Sequence, residues 1–410
     1  MSEITKKPLF VFPWRFTESF IIAFFIPAVG FIIEYLSKGA YFGMLSFPYN
    51  VSLFIVWIII ISVFHFFLKF DYVYWLSSTP AAIAAVSVYA IQVLLLGFIP
   101  QEVKDSNIII QKLGLTHITQ SLQFIFSVFF LLIVLSFTIL KRIKSFNKRN
   151  FGFFLNHFGL LVIIVAGSFG ASDKTVLSLN MQEGDKLGIA FDNKYQHHKL
   201  PFKIELVDFI METYNPELMM CRGKSKFISD KDGKTLFKVD NLLRYTIGHY
   251  EVFINKYLKS CKPSGSEYVP LDYMGATSAA NIDVFDKEKN NIKIASGWIS
   301  CGSIIFNSQI LPIDTNLIIG MNEPQPKKYI SKVRIYHKDG KVENETIEVN
   351  KPLKVDGWYI YQSGYDNEMG RWSTVSVLEF VNDPWLYVVY IGIFFLMAGA
   401  CFMIWYDKLK

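Results

Sequence analysis

The chain has 410 residues, of which 52% are hydrophobic, and its formal net charge is only +6. Soluble domains are about 45–50% apolar, and the excess here lies in long blocks separated by charged segments. A membrane-spanning helix needs about 20 apolar residues. Six blocks reach this length, so we expect an integral membrane protein. The basic residues are scattered or adjoin these blocks, which disfavours a nucleic-acid-binding protein.

The six apolar blocks predict about six transmembrane helices. The first block follows a short basic segment, as in a signal peptide. Because it is too long for a signal-peptide core and further helices follow, we interpret it as a retained anchor. The fifth block begins directly after the most basic run of the chain, at 141–149. The predicted helices cover residues 19–36, 51–70, 79–100, 122–140, 151–171 and 385–405.

The basic residues of the short loops predict the orientation, because cytoplasmic loops are enriched in Lys and Arg. One side of the membrane would carry Lys6, Lys7, Arg15, Lys69, Lys141, Arg142, Lys144, Lys148, Arg149, Lys408 and Lys410. The short loops of the other side would carry only Lys38, Lys104 and Lys112. This bias predicts that both termini are cytoplasmic and that residues 172–384 lie outside the cytoplasm.

Residues 172–384 are polar and predict a large extracytoplasmic β-rich domain between helices five and six. Three segments place turn-forming residues between alternating or β-branched residues, which is typical of β-hairpins. The predicted hairpins are 227–239, 282–294 and 333–349. Asp230, Asp232 and Asp286 suggest a calcium loop, but the twelve-residue ligand pattern is missing, so hairpin turns are favoured.

The predicted organisation therefore has three parts: an N-terminal membrane bundle (1–171), the β-rich domain (172–384), and a C-terminal transmembrane helix with a short cytoplasmic tail (385–410). Cys221, Cys261 and Cys301 lie in the β-rich domain. Three cysteines allow one disulfide with one thiol left over, or three free thiols. The chain lacks CxxC and CxxCH motifs, so it is not a thioredoxin-like reductant by motif and carries no covalent c-type haem itself.

Motifs for nucleotide hydrolysis, metalloproteases and serine hydrolases are absent from plausible contexts. Of the seven histidines, only His65 and His157 fall within predicted transmembrane helices, and each is flanked by phenylalanines. The predicted topology places both imidazoles about 6–7 Å from the cytoplasmic ends of their helices. Neutral imidazoles at one depth among aromatic rings suit axial ligation of haem iron. The alternative is that both histidines are solvated at the interface or hydrogen-bonded to a neighbouring helix.

Several short motifs occur in a fixed order along the second part of the chain. They are NHFGL at 156–160, EG at 183–184, LPFKIELVDF at 200–209, VNKPL at 349–353, WYIYQSGY at 358–365, DP at 383–384, and Gly392 and Gly399 in the last helix. In this order they resemble the ResB-type (CcsB-type) cytochrome c biogenesis proteins of the system II pathway. The resemblance covers roughly residues 151–405, and the first four helices match only by arrangement.

The resemblance implies a subunit that acts with a ResC/CcsA-type membrane partner in the bacterial inner membrane. Together the two would move haem b outward and present it for covalent attachment to apocytochrome c, with a thioredoxin-like thiol reductant as a further partner. A membrane histidine of the ResB-type half is thought to bind haem. His157 is our first candidate, because its surrounding sequence carries the resemblance, and His65 is the second.

The tryptophan-rich WWD segment of the ResC/CcsA-type partner is absent from this sequence. The resemblance therefore implies an accessory subunit of a holocytochrome c synthase, and we name no catalytic residue. Two other classes remain open at the sequence level. One is a transporter, although the helices lack paired buried charges and internal symmetry. The other is a cofactor-free membrane scaffold or receptor, in which the histidines only pack.

Overall fold

The computed structural model describes residues 8–37, 46–68, 70–101, 108–143, 147–223 and 226–408. The chain forms two compact units, which are Met1–Thr175 with Asp383–Lys410, and Val176–Asn382. We call them the membrane unit and the β-rich domain. Part of the orientation prediction rests on Lys6, Lys7, Lys38, Lys69, Lys104, Lys144 and Lys410, which lie outside the described residues.

Within the described residues, six helices are long and apolar enough to cross a membrane. Together with the β-rich domain that precedes the last of them, they confirm the predicted fold class. Two short helices, α3 and α5, lie between them. The helices within the described residues are α1 (Phe16–Leu36), α2 (Tyr49–Phe67), α3 (Asp71–Leu76), α4 (Thr79–Phe98), α5 (Ile108–Lys112), α6 (Leu122–Ile143), α7 (Lys148–Phe169) and α8 (Leu386–Lys408).

The helix α7 begins three residues earlier than the apolar pattern predicts. The side chain of Asn147 accepts a hydrogen bond from the Asn150 amide, so Asn147 is the N-cap. The basic residues Lys148 and Arg149 therefore belong to the first turn of the helix. Hydropathy places the start at the first apolar residue, whereas the capping side chain determines where the helix begins.

The helices α7 and α8 pack with their backbones in close contact. A methyl group added to Gly159 would lie 2.4 Å from the Leu396 nitrogen, and one added to Gly399 would lie 2.4 Å from the Asn156 nitrogen. The Asn156 amide also donates to the Leu396 carbonyl at 3.1 Å. Small residues and an interhelical amide bond are typical of tight packing between membrane helices. The NHFGL motif thus has a packing role at two of its five positions.

The described residues of the β-rich domain form three antiparallel sheets. The strands within the described residues are β1 (Thr175–Gln182), β2 (Lys186–Phe191), β3 (His197–Thr213), β4 (Glu217–Arg222), β5 (Lys226–Phe227), β6 (Phe237–Lys238), β7 (Arg244–Ile247), β8 (Tyr250–Ser264), β9 (Glu267–Pro270), β10 (Thr277–Asp286), β11 (Ile292–Ser300), β12 (Leu311–Pro312), β13 (Leu317–Met321), β14 (Pro326–Tyr336), β15 (Val342–Glu348), β16 (Leu353–Val355), β17 (Trp358–Tyr365) and β18 (Val375–Asn382).

The largest sheet has the strand order β15-β14-β3-β2-β1-β18-β17-β16. Its buried face includes Ile204, Leu206, Ile335 and Phe380, each at most 1% exposed. The second sheet has the order β11-β10-β8-β7 with β9 paired to β8, and the third has the order β12-β13-β4-β5 with β6 paired to β4. These two smaller sheets contribute to a second apolar core.

Two of the three predicted hairpins are confirmed. The strands β10 and β11 pair around 287–291, and β14 and β15 pair around 337–341. The hairpin predicted at 227–239 is wrong, because β5 and β6 each pair with β4 and not with one another. Phe237 is 2% exposed and packs into the core that contains β4, so burial of this ring favours pairing along the β4 edge.

Candidate functional site

The helices α2 and α7 contact one another at one end of the membrane unit. The Asn50 amide, in the first turn of α2, donates to the Phe169 carbonyl at the end of α7, at 2.8 Å. Asp173 accepts hydrogen bonds from the Phe47 amide, the Asn50 side chain and the Trp385 indole, each at 2.7 Å. Burial raises the pKa of Asp173, but these three donors together hold it below its ordinary value.

This contact places the two candidate histidines at similar depth. His65 lies 15 residues after Asn50 in α2, and His157 lies 12 residues before Phe169 in α7. At the helical rise, these separations correspond to roughly 22 Å and 18 Å from the common contact. Because the start of α2 touches the end of α7, both histidines lie toward the opposite end of the membrane unit.

The imidazole of His157 is held by two contacts with Phe153, one turn earlier in α7. Its Nδ1 lies 2.9 Å from the Phe153 carbonyl oxygen, and its ring stacks on the Phe153 ring with centroids 3.7 Å apart. Since a carbonyl oxygen only accepts, Nδ1 carries the proton. In the neutral ring this leaves the lone pair on Nε2, which is the usual arrangement of a metal-binding histidine oriented by a backbone carbonyl.

A cationic side chain lies close to this pair of rings. The guanidinium carbon of Arg142, near the end of α6, is 4.9 Å from the centroid of the Phe153 ring. The half-buried His157 is thus flanked by an aromatic ring that also contacts a positive charge. An anionic group next to His157 would find a counter-charge within reach.

The surroundings of His65 differ from the predicted aromatic cage. Its neighbours Phe64 and Phe67 are 41% and 78% exposed, so these rings do not enclose the imidazole. The His65 ring is half-buried. Its centroid instead lies 5.0 Å from the ring centroid of Phe66 and 6.3 Å from that of Phe137 in α6. Both candidate histidines are therefore near side chains from the C-terminal part of α6, which contributes Phe137 and Arg142.

An apolar cavity of about 420 Å³ lies between α2, α6 and α7, with further contributions from the start of α8. Phe154 and Phe158, which flank His157 in sequence, line it, as do Ile61 and Ser62, one turn before His65. Its volume lies within the range of about 300–1,000 Å³ typical of small-molecule sites. His65 and His157 themselves are not among its described lining residues.

Metal binding by clustered side chains has no support in the described part of the chain. No group of three or more His, Cys, Asp or Glu side chains there is arranged to hold a metal ion. The calcium-loop alternative at Asp230 is replaced by a turn, in which its carboxylate accepts the amides of Asp232 and Lys234 at 2.9 and 2.8 Å. The turn prediction at these residues is confirmed.

All four cysteines are free thiols, which agrees with the second of the two predicted alternatives for the β-rich domain. Cys261 is fully buried, and its Sγ donates to the Thr277 carbonyl at 3.3 Å. Burial raises the pKa of the Cys261 thiol to about 12. Cys301 is half-buried, and its Sγ lies 3.6 Å from the Thr277 hydroxyl.

Two polar residues that organise the site were missed from sequence. Asp173 and Asn50 tie the ends of α2, α7 and α8 together, although each is a single polar residue at the edge of an apolar block. Such residues resemble ordinary loop positions in a sequence. The only available signal is that a carboxylate directly after a membrane helix needs donors from other elements.

The six helices and the β-rich domain define a multi-pass membrane protein with one large β-sheet domain. Residues 313–376 match the sequence model of the ResB-like family, so the predicted resemblance is confirmed over this segment, about a sixth of the chain. The segment includes the VNKPL and WYIYQSGY motifs, and the match supports a role related to cytochrome c biogenesis. No curated protein matches the chain.

Proposed function

We propose that the chain is the ResB-like subunit of a system II cytochrome c biogenesis complex, in which it takes part in haem export and in haem presentation to apocytochrome c. The observation that carries this proposal is the family match at residues 313–376. The complex includes a ResC/CcsA-type partner and receives help from a thiol reductant. In the bacterial inner membrane, the charge bias puts both termini in the cytoplasm and the β-rich domain outside.

In this function haem is a cargo, and the residues around His157 fit its chemistry. Bound haem supplies an iron that accepts a nitrogen ligand, and His157 offers Nε2 because Phe153 holds the proton on Nδ1. Arg142 supplies a positive charge suited to a propionate. The neighbouring cavity lined by Phe154 and Phe158 offers apolar surface to a macrocycle. His65 is the second candidate ligand.

The optical spectrum of the purified full-length chain, expressed with and without its partner, tests this proposal. We expect a Soret band that falls about tenfold in His157→Ala, because one imidazole ligand is lost. His65→Ala lowers the band if both histidines bind the same haem. His197→Ala is the matched control, since His197 is exposed on β3 of the β-rich domain, and it leaves the band unchanged.

A colourless complex that still matures cytochromes contradicts haem binding and supports the scaffold alternative. A Soret band that survives both His157→Ala and His65→Ala contradicts the ligand assignment but leaves the role in cytochrome c biogenesis intact. These two outcomes therefore distinguish two questions: whether the chain acts in the pathway, and which residues bind the haem.

A further inference from the structure

The helices α1, α4 and α6 share a buried interface in the membrane unit. A methyl group added to Gly30 of α1 would lie 2.5 Å from the Cα of Gln123 in α6, so these two backbones are in contact. The buried positions along α1 and α4 hold mainly small residues, among them Ala23, Pro27 and Gly30 on α1 and Ala84, Ala85 and Val88 on α4. One turn further along each helix, a long polar side chain is buried instead. These side chains are Glu34 on α1 and Gln92 on α4.

The start of α6 contacts the polar end of α1. The Leu122 amide donates to Glu34 Oε2 at 3.0 Å. The side-chain nitrogen of the next residue, Gln123, donates to the Leu113 carbonyl at 3.0 Å. A methyl group added to Gly114, which follows Leu113, would lie 3.0 Å from Cγ and 3.1 Å from Cδ of Glu34. The Glu34 carboxyl and the Gln123 amide therefore both reach this short segment.

The polar end of α4 lies at the same depth. The ring centroids of Tyr89 in α4 and Phe124 in α6 are 5.9 Å apart. Those of Trp75, just before α4, and Phe130, further along α6, are 6.2 Å apart. The two helices therefore run antiparallel. Gln92 is three residues beyond Tyr89, so it lies about 4.5 Å further toward the beginning of α6.

The three polar side chains are buried and lack hydrogen-bond donors. Glu34 is 6% exposed, Gln92 is 3% exposed and Gln123 is fully buried. The Oε1 atoms of Gln92 and Gln123 are buried, and neither accepts a hydrogen bond from the residues that the structure describes. Because Gln123 donates through its nitrogen to a carbonyl, its free atom is the oxygen. An acceptor buried without a donor is costly, so these oxygens favour a bound group that attracts them.

The free groups are one carboxylate and two neutral amide oxygens, which is the ligand type that hard cations prefer. When ionised, Glu34 contributes one negative charge. The other buried acid of α1, Glu18, is 16 residues earlier and so about 24 Å away. Lys112, near this end of the unit, is exposed to solvent. A single monovalent cation therefore balances the charge, whereas the described part of the chain has no cluster of carboxylates for a divalent ion.

We propose that Glu34, Gln92 and Gln123 form a binding site for a monovalent cation, sodium or potassium, in the interface between α1, α4 and α6. The Glu34 carboxylate supplies the charge, and the two amide oxygens replace part of the hydration shell of the ion. The bound cation satisfies the buried acceptors and links three helices.

Thermal unfolding of the purified full-length chain tests this proposal in the chlorides of sodium, potassium and choline at equal ionic strength. A ligand that binds only the folded state raises the midpoint as its concentration increases. We expect a higher midpoint in sodium or potassium than in choline, which is too large for a buried site of three side chains. The larger rise identifies the preferred ion.

Two substitutions of buried acids in α1 make a matched pair for this measurement. Glu34→Gln is expected to remove the difference between the salts, because the charge is lost. Glu18→Gln is expected to retain the difference, because the Glu18 carboxylate lies at the other end of α1, where it accepts the Arg15 amide at 2.9 Å.

Binding of radioactive sodium, and of radioactive rubidium as a potassium analogue, measures the site directly. We expect saturable binding to the wild type and an affinity about tenfold lower or less in Glu34→Gln, because affinity depends on ligand charge. Gln92→Leu keeps the charge and a similar side-chain size, so it tests the site if Glu34→Gln does not fold. It is also expected to weaken binding.

Three results overturn the proposal. The first is a wild type with equal midpoints in the three salts and no saturable binding of either ion. The second is a midpoint that depends on the salt without saturable binding, which is a general salt effect. The third is binding that persists unchanged in both Glu34→Gln and Gln92→Leu, because the ion then binds elsewhere.

Discussion

The tautomer of His157 is the most specific chemical feature of the membrane unit. A neutral histidine can carry its proton on either ring nitrogen. The Phe153 carbonyl, at 2.9 Å from Nδ1, nevertheless selects the form with the lone pair on Nε2. The flanking phenylalanines indicated His157 in the sequence. Its hydrogen bond to the Phe153 carbonyl, however, depends on the rotamer of the His157 side chain. A sequence pattern does not determine that rotamer.

The thiols of the β-rich domain are expected to differ in reactivity. Cys261 is fully buried, and its pKa is raised to about 12 by burial, so very little thiolate forms at neutral pH. We expect a maleimide to label half-buried Cys301 in the native full-length chain and to label Cys261 only after denaturation. Mass spectrometry of the alkylated peptides makes the comparison. Native labelling of Cys261 at the same rate as Cys301 would show that its burial is not maintained.

His337 is expected to make the β14–β15 turn sensitive to pH. The Glu343 hydrogen bond raises the pKa of His337 above its ordinary value of 6.5, and Asp356 raises it further against the effect of burial. Because the pKa of His337 is higher in the folded than in the unfolded state, its stabilisation of the turn is fully present below the unfolded-state pKa. This stabilisation is lost as the pH rises through the folded-state pKa. The nearby Lys341 also interacts with Glu343, and therefore competes for the same carboxylate.

Hydrogen exchange of the turn amides in the full-length chain, corrected for intrinsic rates, checks this expectation. Protection is expected to fall between a pH below 6.5 and a pH well above it. His337→Gln is expected to remove most of this dependence. His249→Gln is the matched control, because His249 lies elsewhere in the domain, where its ring contacts Tyr250 at 3.9 Å. If the wild-type turn were equally protected at both pH values, the pairing of His337 with Glu343 and Asp356 would be contradicted.

The close contact between α7 and α8 gives the sharpest test of the helix packing. Gly159→Ala places a methyl group against the Leu396 backbone and is expected to cost about 1–3 kcal/mol by overpacking. Gly167→Ala is the matched control in the same helix, because nothing lies within 4 Å of its added methyl. Thermal unfolding of the two variants in one detergent makes the comparison. Equal midpoints would show that the helices are not in this close contact.

The elements also show which parts of the fold the sequence can predict. Hydropathy gives the number of long helices, because burial in a bilayer requires length and apolarity whatever the partners are. Turn chemistry gives the hairpins at 282–294 and 333–349, where the turn connects strands that pair with one another. At 227–239 the turn is also present, but Phe237 packs on a third strand. Local patterns locate turns, whereas long-range burial selects the strand partners.

Both units of the chain contain features that support the proposed haem function. The membrane unit provides an apolar cavity and an oriented imidazole, and the β-rich domain contains the segment that matches the ResB-like family. The charge pattern predicts a similar depth for His65 and His157. The contact of Asn50 with Phe169, which makes α2 and α7 neighbours, depends on a hydrogen bond between distant residues and could not be read from periodicity.

In the proposed function, the chain handles haem for cytochrome c assembly through His157. The most direct measurement is the amount of covalently bound haem c in cells that lack the chain and express either the wild type or His157→Ala at equal levels in the membrane. We expect no haem c without the chain and about a tenfold decrease with His157→Ala, because an axial ligand is lost. Undiminished haem c in cells without the chain would contradict the proposed function, and undiminished haem c with His157→Ala would contradict the role of His157.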